Sequence, residues 1–310
     1  MLLAALSSHN NAFLLTSFGS PSMKPKYVVI SPVRDEEKYI RFTLDSMIAQ
    51  ALRPTEWIIV NDGSKDATGK ILDEYALEHP WIHPVHRDDR GFRKAGGGVV
   101  EAFYAGHREL TCTDWDFIVK LDGDLTLAPD YFERALAYFE HEPRLGITGG
   151  TVYHDVNGKL EIEKTPKFHV RGASKIYRKE CWTAIGGLLE APGWDTIDEL
   201  KSNMLGWTTK SLPDLHILHH RFTGTADGSW RGSVKNGRAN YISGYHPLFV
   251  GARCVYRLFY RPYVVGAIGM FWGYASGYLM KIPRVDDPAL IEYTQRQQLA
   301  RLFGRQTIWR

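Results

Sequence analysis

Cysteine is scarce in this sequence, and the three that occur are far apart. They stand at positions 112, 181 and 254 of a 310-residue chain. This spacing matches no zinc-ligand motif, and an odd number of cysteines cannot all pair. The sequence therefore gives no indication of a disulfide framework, and a reducing compartment is the simpler expectation.

Net charge is also low. The chain carries 38 basic and 35 acidic residues, which gives a formal charge of +3 at pH 7. That balance gives no reason to expect nucleic acid as a partner. The sequence has no internal repeat and no low-complexity tract, and 44% hydrophobic with 24% charged residues is an ordinary folded composition. A chain of this size can bury one large core or two small ones.

Long hydrophobic runs are missing. No stretch is a clean membrane span. The first residues lack the basic start and the long apolar run of a signal peptide, so we expect 1–24 to form a poorly ordered extension. The nearest approach to a span is YVVGAIGMFWGYASGYLM, residues 263–280, which is uncharged, marginal in length and rich in glycine and tyrosine.

Short β-branched runs alternate with helical patterns over the first 140 or so residues. The runs, which predict strands, are at 27–33, 57–60, 82–85 and 116–121. Apolar residues at helical spacing predict helices between the strands, at about 36–50, 66–76 and 98–110. This alternation is typical of an α/β protein with a mainly parallel, Rossmann-like sheet and flanking helices.

The pattern changes after residue 145. Asn157-Gly158 predicts a hairpin, LPDLHILHH predicts a short strand, and 174–185 and 195–206 are predicted to be helical. From Trp230 onward the chain is mostly helical and increasingly aromatic. We therefore divide it into the extension 1–24, a main domain 25–228 with halves 25–125 and 126–228, and a helical C-terminal appendage 229–310.

Acidic clusters follow three of the predicted strands. PVRDE follows the first strand, NDGS the second, and DGD, residues 122–124, the fourth. The carboxyl ends of parallel strands meet at one edge of a sheet, so these carboxylates are expected to converge. A single Asp-Gly is a common turn, but converging like charges are costly unless a cation or hydrogen bonds offset them. A hard divalent cation with a bound diphosphate would do so.

Several of these segments, taken in order, resemble a known family. YVVISPVRDEE, EWIIVNDGSKDAT and DFIVKLDGDLTLAPDYFERAL are similar to the nucleotide-sugar-binding half of family 2 glycosyltransferases, which have the GT-A fold. ASKIYRKECWTAIGG and GWDTIDELKSNMLGW resemble the acceptor half of that family. The resemblance covers roughly residues 26–225. It implies a GT-A catalytic domain whose donor and acceptor halves are those given above.

The resemblance also implies roles for individual residues. Donor nucleotide contacts fall on Pro32, Arg34, Glu36, Asp62, Arg93, Lys94 and Asp122. Asp122 and Asp124 resemble the DxD pair that binds Mg²⁺ or Mn²⁺, and His220 is the expected third ligand. Asp195 occupies the place of the catalytic base. Trp194 replaces the usual acidic neighbour of that base, and we expect Trp194 and Asp198 to lie on the acceptor side.

The reaction implied is an inverting displacement. A hydroxyl of a glycan or lipid-linked glycan attacks the sugar of a nucleoside-diphosphate sugar, with a divalent metal at the diphosphate and Asp195 as general base. Two alternatives stay open: a sugar-phosphate nucleotidyltransferase and a membrane-associated non-catalytic homologue. A nicotinamide dehydrogenase is disfavoured because SPVRDE, not a G-x-G-x-x-G loop, follows the first strand.

The C-terminal third has two apolar segments within 244–280, split by Arg261-Pro262. Gly269, Gly273 and Gly277 form a small-residue face suited to close helix contact. We expect this hairpin to lie at a membrane surface, with the protein cytoplasmic and peripheral on the inner face; packing on the main domain is the alternative. The tail is predicted to be an amphipathic helix lying on the domain or on a second copy of the chain.

Overall fold

The structure is a computed structural model, and it describes residues 25–91, 97–156, 158–163, 165–221, 228–260 and 262–309. The predicted extension 1–24 and the predicted donor contacts Arg93 and Lys94 lie outside the described residues. Elsewhere the chain alternates strands and helices up to residue 141, and the predicted α/β architecture with flanking helices is confirmed.

A sheet of nine strands forms the centre of the protein. The strands are Tyr27–Val33 (β1), Glu56–Asp62 (β2), Ile82–Arg87 (β3), Phe117–Leu121 (β4), Leu125–Leu127 (β5), Leu145–Val156 (β6), Lys159–Ile162 (β7), Ser174–Arg178 (β8) and Thr208–His219 (β9). Their order across the sheet is β3-β2-β1-β4-β8-β6-β9-β5, and β7 pairs with β6. β1, β2, β3 and β4 pair in parallel, so their carboxyl ends share one edge.

Ten helices flank or follow the sheet in the described part of the chain. They are Ile40–Ile48 (α1), Thr68–Glu78 (α2), Gly97–Arg108 (α3), Tyr131–His141 (α4), Lys179–Ile185 (α5), Trp194–Met204 (α6), Gly228–Ile242 (α7), Pro247–Arg257 (α8), Tyr263–Leu279 (α9) and Pro288–Leu302 (α10). The first four strands and the helices between them lie close to their predicted places.

Side chains that alternate in direction along the strands give the sheet two faces, and both are buried. Val29 and Val33 of β1 belong to a core on one face, beneath α1, α2 and α4. Val28 and Ile30 belong to a second core on the other face, beneath α3 and α5. A sheet covered on both sides needs strands that are apolar throughout, and β1 and β2 read that way in the sequence.

One predicted helix is partly wrong. Residues 174–178 form β8, which lies between β4 and β6 and is antiparallel to both; the helix begins only at Lys179. The segment SKIYR is almost wholly buried. Tertiary pairing with two distant strands decides its conformation, and no local pattern in the sequence encodes those partners.

The C-terminal helices pack against the sheet domain and against one another. Leu290 of α10 shares a buried cluster with Ile197 and Leu200 of α6, so the tail helix packs on the domain. A Cβ added at Gly237 of α7 or at Gly273 of α9 would collide with a backbone oxygen of the other helix. The small-residue face predicted on α9 is therefore where α7 and α9 meet backbone to backbone.

The opposite side of α8 and α9 carries large apolar side chains in the open. We call this surface the apolar face; its principal members are Val255, Tyr256, Phe259, Ile268, Phe271 and Trp272. Phe259 is 73% exposed and Trp272 is 50% exposed. None of the described helices combines the length and the apolar character needed to cross a bilayer.

Candidate active site

The carboxyl ends of β1, β2 and β4 open into a cavity of about 950 Å³. Six residues predicted at the strand ends line this cavity: Pro32, Arg34, Glu36, Asp62, Asp122 and Asp124. Trp194 and Asp195, at the start of α6, line the same cavity. The structure thus brings the predicted donor contacts and the predicted base into one space.

Three side chains at the floor of the cavity form a group that could hold a metal ion. Asp122 and Asp124 lie in the turn between β4 and β5, and His219 ends β9, which pairs with β5. Each offers one ligand atom, and these atoms lie within 4.8 Å of one another. His219 Nε2 lies 3.2 Å from Asp124 Oδ1, and its buried Nδ1 has no hydrogen-bond partner among the described residues.

Burial and neighbouring charges shift the pKa values of the carboxyl groups in and beside this group. Burial raises the pKa of Asp122, and the neighbouring Asp124 adds to the shift against the opposing Lys120. Burial acts on Asp124 too, but the hydrogen bond and charge of His219, with Arg221, outweigh it and lower the pKa of Asp124. Burial, then the charge of Asp124, raises the pKa of Glu36 to about 8 against the opposing Arg221. A cation here would relieve this repulsion.

The predicted third ligand, His220, is not part of the group, and His219 takes its place. β9 ends at His219, and His220 follows it outside the strand, where its side chain has different neighbours. The ring of His220 lies 2.8 Å from Thr126 Oγ1 and stacks on Phe42 at 4.3 Å. Leu218 is buried as well as Leu215, Ile217 and His219, so the pattern of LPDLHILHH does not by itself select His219.

Two arginines hold the predicted nucleoside contact Asp62. Arg87 Nη1 donates to Asp62 Oδ1 at 2.8 Å, and Arg90 forms a short ion pair with the other oxygen. Both arginines also contact Glu101 of α3. Sequence reasoning missed them, although Arg87 ends β3 directly beside Asp62 in the parallel register. The side chain of Asp62 is therefore fixed, and Arg90 adds a cation to the cavity wall.

Lys120 is a second cavity residue that the sequence analysis missed. It lies near the end of β4 and is 2% exposed. Its ammonium contacts Asp122, donates to the backbone oxygen of Gly172 at 2.6 Å, and lies 5.6 Å from the centre of the Trp194 ring. Lys120 therefore connects the donor side of the cavity with the wall that carries Trp194.

A buried ionic cluster supports the start of α6. Lys175, in the middle of β8, donates to both oxygens of Asp198 at 2.9 Å and lies 2.9 Å from Glu199 Oε1. Glu199 also accepts from the backbone N–H of Val170 at 2.7 Å and lies 2.9 Å from His169 Nδ1. This cluster ties the helix that carries Asp195 to the central sheet and to the loop before β8.

The prediction that Asp198 lies on the acceptor side is wrong. Asp198 is 3% exposed, does not line the cavity, and is held by Lys175 and by the hydroxyl of Tyr177 at 2.5 Å. Burial raises the pKa of Asp198 to about 6, against the opposing charge of Lys175. Asp198 faces inward because the helix buries this side against β8. Trp194, by contrast, lines the cavity.

Two carboxylate oxygens and an imidazole nitrogen form a ligand set that can hold a divalent cation. Carboxylates suit both Mg²⁺ and Mn²⁺, while Mg²⁺ is bound almost wholly by oxygen ligands. Asp195 offers a further carboxylate in the same cavity. The cavity therefore combines a group that could hold a cation with a separate carboxylate.

Comparison with known proteins finds relatives in sequence. The chain is 31% identical over 173 residues to EpsH of Bacillus subtilis (strain 168), covering 50% of this chain and 47% of that protein. It is 29% identical over 150 residues to the polyprenol monophosphomannose synthase of Mycolicibacterium smegmatis, covering 46% and 54%. The matched segments thus span about half the length of these curated relatives.

The fold has solved counterparts. The mannosyltransferase PcManGT from Pyrobaculum calidifontis, solved with GDP-Man and Mn²⁺, matches 99% of this chain and 82% of its own, at a TM-score of 0.54 and 16% identity. That likeness establishes the fold alone. The family model for glycosyl transferase family 2 matches residues 28–187, about half of the chain. The chain belongs to glycosyl transferase family 2.

Proposed function

We propose that this protein transfers a sugar from a nucleoside-diphosphate sugar to a hydroxyl of a glycan or lipid-linked glycan, with inversion at the sugar. The observation that carries the proposal is the shared cavity: the metal-type group Asp122, Asp124 and His219 and the carboxylate of Asp195 line the same space. A leaving group and a proton acceptor are needed together for such a displacement.

The donor occupies the strand-end side of the cavity. Asp62, fixed by Arg87 and Arg90, accepts hydrogen bonds from the base or ribose of the nucleotide. Arg34 and Glu36, at the end of β1, line the same side. The fixed geometry of Asp62 favours recognition because a preorganised acceptor loses little side-chain entropy when the ligand arrives.

Asp122, Asp124 and His219 hold the divalent ion, which we propose to be Mn²⁺ rather than Mg²⁺ because one donor is a nitrogen. When bound, the ion supplies positive charge that stabilises the departing diphosphate. Asp195 takes the proton from the attacking hydroxyl. One attack from the face opposite the leaving group inverts the anomeric carbon, and no second carboxylate has to act as a nucleophile.

A membrane surface is the proposed setting. The apolar face of α8 and α9 supports it, since single exposed apolar residues are normal but many large ones on two helices in contact mark an interaction surface. Cys112, Cys181 and Cys254 are free thiols, in keeping with a cytoplasmic location at the inner face. Flotation with anionic liposomes tests the setting: wild type should rise with the vesicles and Trp272→Ser with Phe271→Ser should not. Flotation of the double variant would contradict it.

Donor binding tests the function itself. Nucleotide sugars are screened by thermal shift with Mn²⁺, with Mg²⁺ and with a chelator, because a ligand that binds only the folded state raises its stability. We expect one nucleotide class to stabilise wild type with Mn²⁺, and the chelator to abolish the shift. Asp124→Ala should lose the metal-dependent shift. A shift that survives both the chelator and the substitution would contradict the metal assignment.

A further inference from the structure

The wall of the cavity opposite the strand ends is basic. It is built by the loop before β8, by α6 and by the C-terminal helices α7 and α8. Among the described residues of this wall, Asp195 is the single carboxylate, while Lys235 of α7 and Arg253 of α8 bring positive charge from two different helices. A neutral glycan has no need of such a wall, whereas an anionic acceptor does.

Arg253 and Asn240 form the clearest part of this wall. The Arg253 guanidinium donates to Asn240 Oδ1 at 3.3 Å and lies 5.9 Å from the centre of the Tyr245 ring. Asn240 is 9% exposed, and its buried Nδ2 has no hydrogen-bond partner among the described residues. A buried donor left unpaired is costly. A phosphoryl oxygen at this place would accept from both side chains.

The same helix that carries Arg253 into the cavity carries the apolar face outside it. Tyr256, 62% exposed, follows Arg253 by one turn of α8, so the two side chains start about 5–6 Å apart. A ligand whose phosphate lies at Arg253 can therefore place an attached hydrocarbon on the apolar face without crossing the protein.

We propose that the basic wall is a phosphate subsite, in which Lys235, Asn240 and Arg253 bind the phosphate or diphosphate of a lipid-linked sugar acceptor. This inference rests on the proposed function and names its acceptor class. The sugar is required because Asp195 needs a hydroxyl to deprotonate, while a bare phosphate is already ionised at neutral pH. The hydrocarbon chain lies along the apolar face, at the membrane surface.

Farnesyl diphosphate, farnesol and inorganic pyrophosphate serve as probes, in calorimetric titrations with EDTA present. The chelator removes divalent ions, so that diphosphate cannot bind through Asp122, Asp124 and His219. We expect farnesyl diphosphate to bind at least tenfold more tightly than either other probe. Lys235→Met and Arg253→Met should each weaken it about tenfold, the size of a lost charge-assisted hydrogen bond. Methionine keeps the apolar stem of each side chain.

Arg231→Met is the matched control, because Arg231 is exposed on α7 one turn before Lys235 and does not line the cavity. It should bind farnesyl diphosphate as wild type does. The subsite would be overturned if Arg231→Met lost as much affinity for farnesyl diphosphate as the cavity variants do. It would also be overturned if neither Lys235→Met nor Arg253→Met lost affinity. Pyrophosphate binding as tightly as farnesyl diphosphate would overturn the lipid assignment, and farnesol binding as tightly would overturn the phosphate one.

A separate titration keeps this proposal apart from the proposed function. Binding of the nucleotide sugar found in the thermal-shift screen is measured with Mn²⁺ for wild type and both cavity variants. Unchanged donor affinity in Lys235→Met and Arg253→Met is expected. A tenfold loss of donor affinity would mean that Lys235 and Arg253 belong to the donor site, which would contradict the subsite. If wild type binds no nucleotide sugar at all, the proposed function fails while the lipid-phosphate titrations still decide the subsite.

Discussion

Lys175 donates from its ammonium to the backbone carbonyl oxygen of Asp195 at 2.5 Å. The lysine is fully buried, so the contact joins the first turn of α6 to the centre of the sheet. The same ammonium group forms ion pairs with Asp198 and Glu199. The position of the proposed base is therefore set from beneath by a residue that a substrate does not touch.

Replacement of this lysine should cost stability. Lys175→Met leaves Asp198 and Glu199 buried without their cation, and breaking a buried ion pair in this way costs about 3–5 kcal/mol. Urea unfolding followed by tryptophan fluorescence measures the loss. Lys159→Met, at an exposed position of β7, is the control and should stay within about 0.5 kcal/mol of wild type. Equal midpoints for the two variants would show that the cluster contributes nothing to the fold.

Removal of the proposed base should separate chemistry from binding. Asp195→Asn keeps the shape of the side chain but not its ability to take a proton, and a positioned general base contributes about 10²–10⁴ in rate. We expect transfer to fall by that factor while the affinity for the donor changes little. Glu133→Gln, at an exposed position of α4, should keep full activity. Normal turnover by Asp195→Asn would remove Asp195 from the base role.

The two adjacent histidines should behave differently. His219→Ala removes a proposed ligand, so Mn²⁺ affinity should fall at least tenfold, in line with the sensitivity of metal sites to losses even beyond the ligands themselves. His220→Ala leaves the proposed ligands in place and should change the affinity by less than about threefold. Electron paramagnetic resonance of free Mn²⁺ reports both. A larger loss in His220→Ala than in His219→Ala would reverse the assignment.

Stability should depend on pH through His169. Burial alone would lower its pKa, but the charge and hydrogen bond of Glu199 outweigh burial and raise the pKa above the ordinary 6.5. A raised pKa in the folded state means that protonated His169 stabilises the protein below pH 6.5 and that this contribution is lost as pH rises through the folded value.

Thermal unfolding of wild type and His169→Gln between about pH 5 and pH 9 tests this. The difference in melting temperature between the two proteins should be largest at the acid end and should shrink as pH rises. A difference that grows with pH would mean that His169 is held neutral in the folded protein. Comparison with the variant is needed because other groups titrate over the same range.

The sequence predicted the strand ends that line the cavity because its signals there are local. A β-branched strand followed by Asp62, or by Asp122 and Asp124, is visible within ten residues, and parallel pairing then brings such ends together. Asp195 and Trp194 were also found from a contiguous motif. Motifs of this kind name residues but not the direction in which their side chains point. That is why Asp198, three residues further along the helix, was assigned to the wrong side.

What the sequence did not predict depends on distant partners. β8 is a strand because β4 and β6 flank it, and Lys175 tolerates complete burial because carboxylates from α6 surround it. Neither partner can be read from the residues nearby. The arginine pair at Asp62 was partly predictable, since the pairing of β2 with β3 would have suggested Arg87 as a neighbour of Asp62. Local periodicity predicts where helices and strands form, whereas pairing across the sheet decides which distant side chains meet.

The backbone contact between α7 and α9 has a consequence for binding thermodynamics. No side chain separates the helices at Gly237 and Gly273, so the pair has few alternative packings. The face of α7 that carries Lys235 and Asn240 is therefore held in place before any acceptor arrives. Preorganised surfaces lose little conformational entropy on association, so most of the favourable contact energy at this wall should appear as affinity.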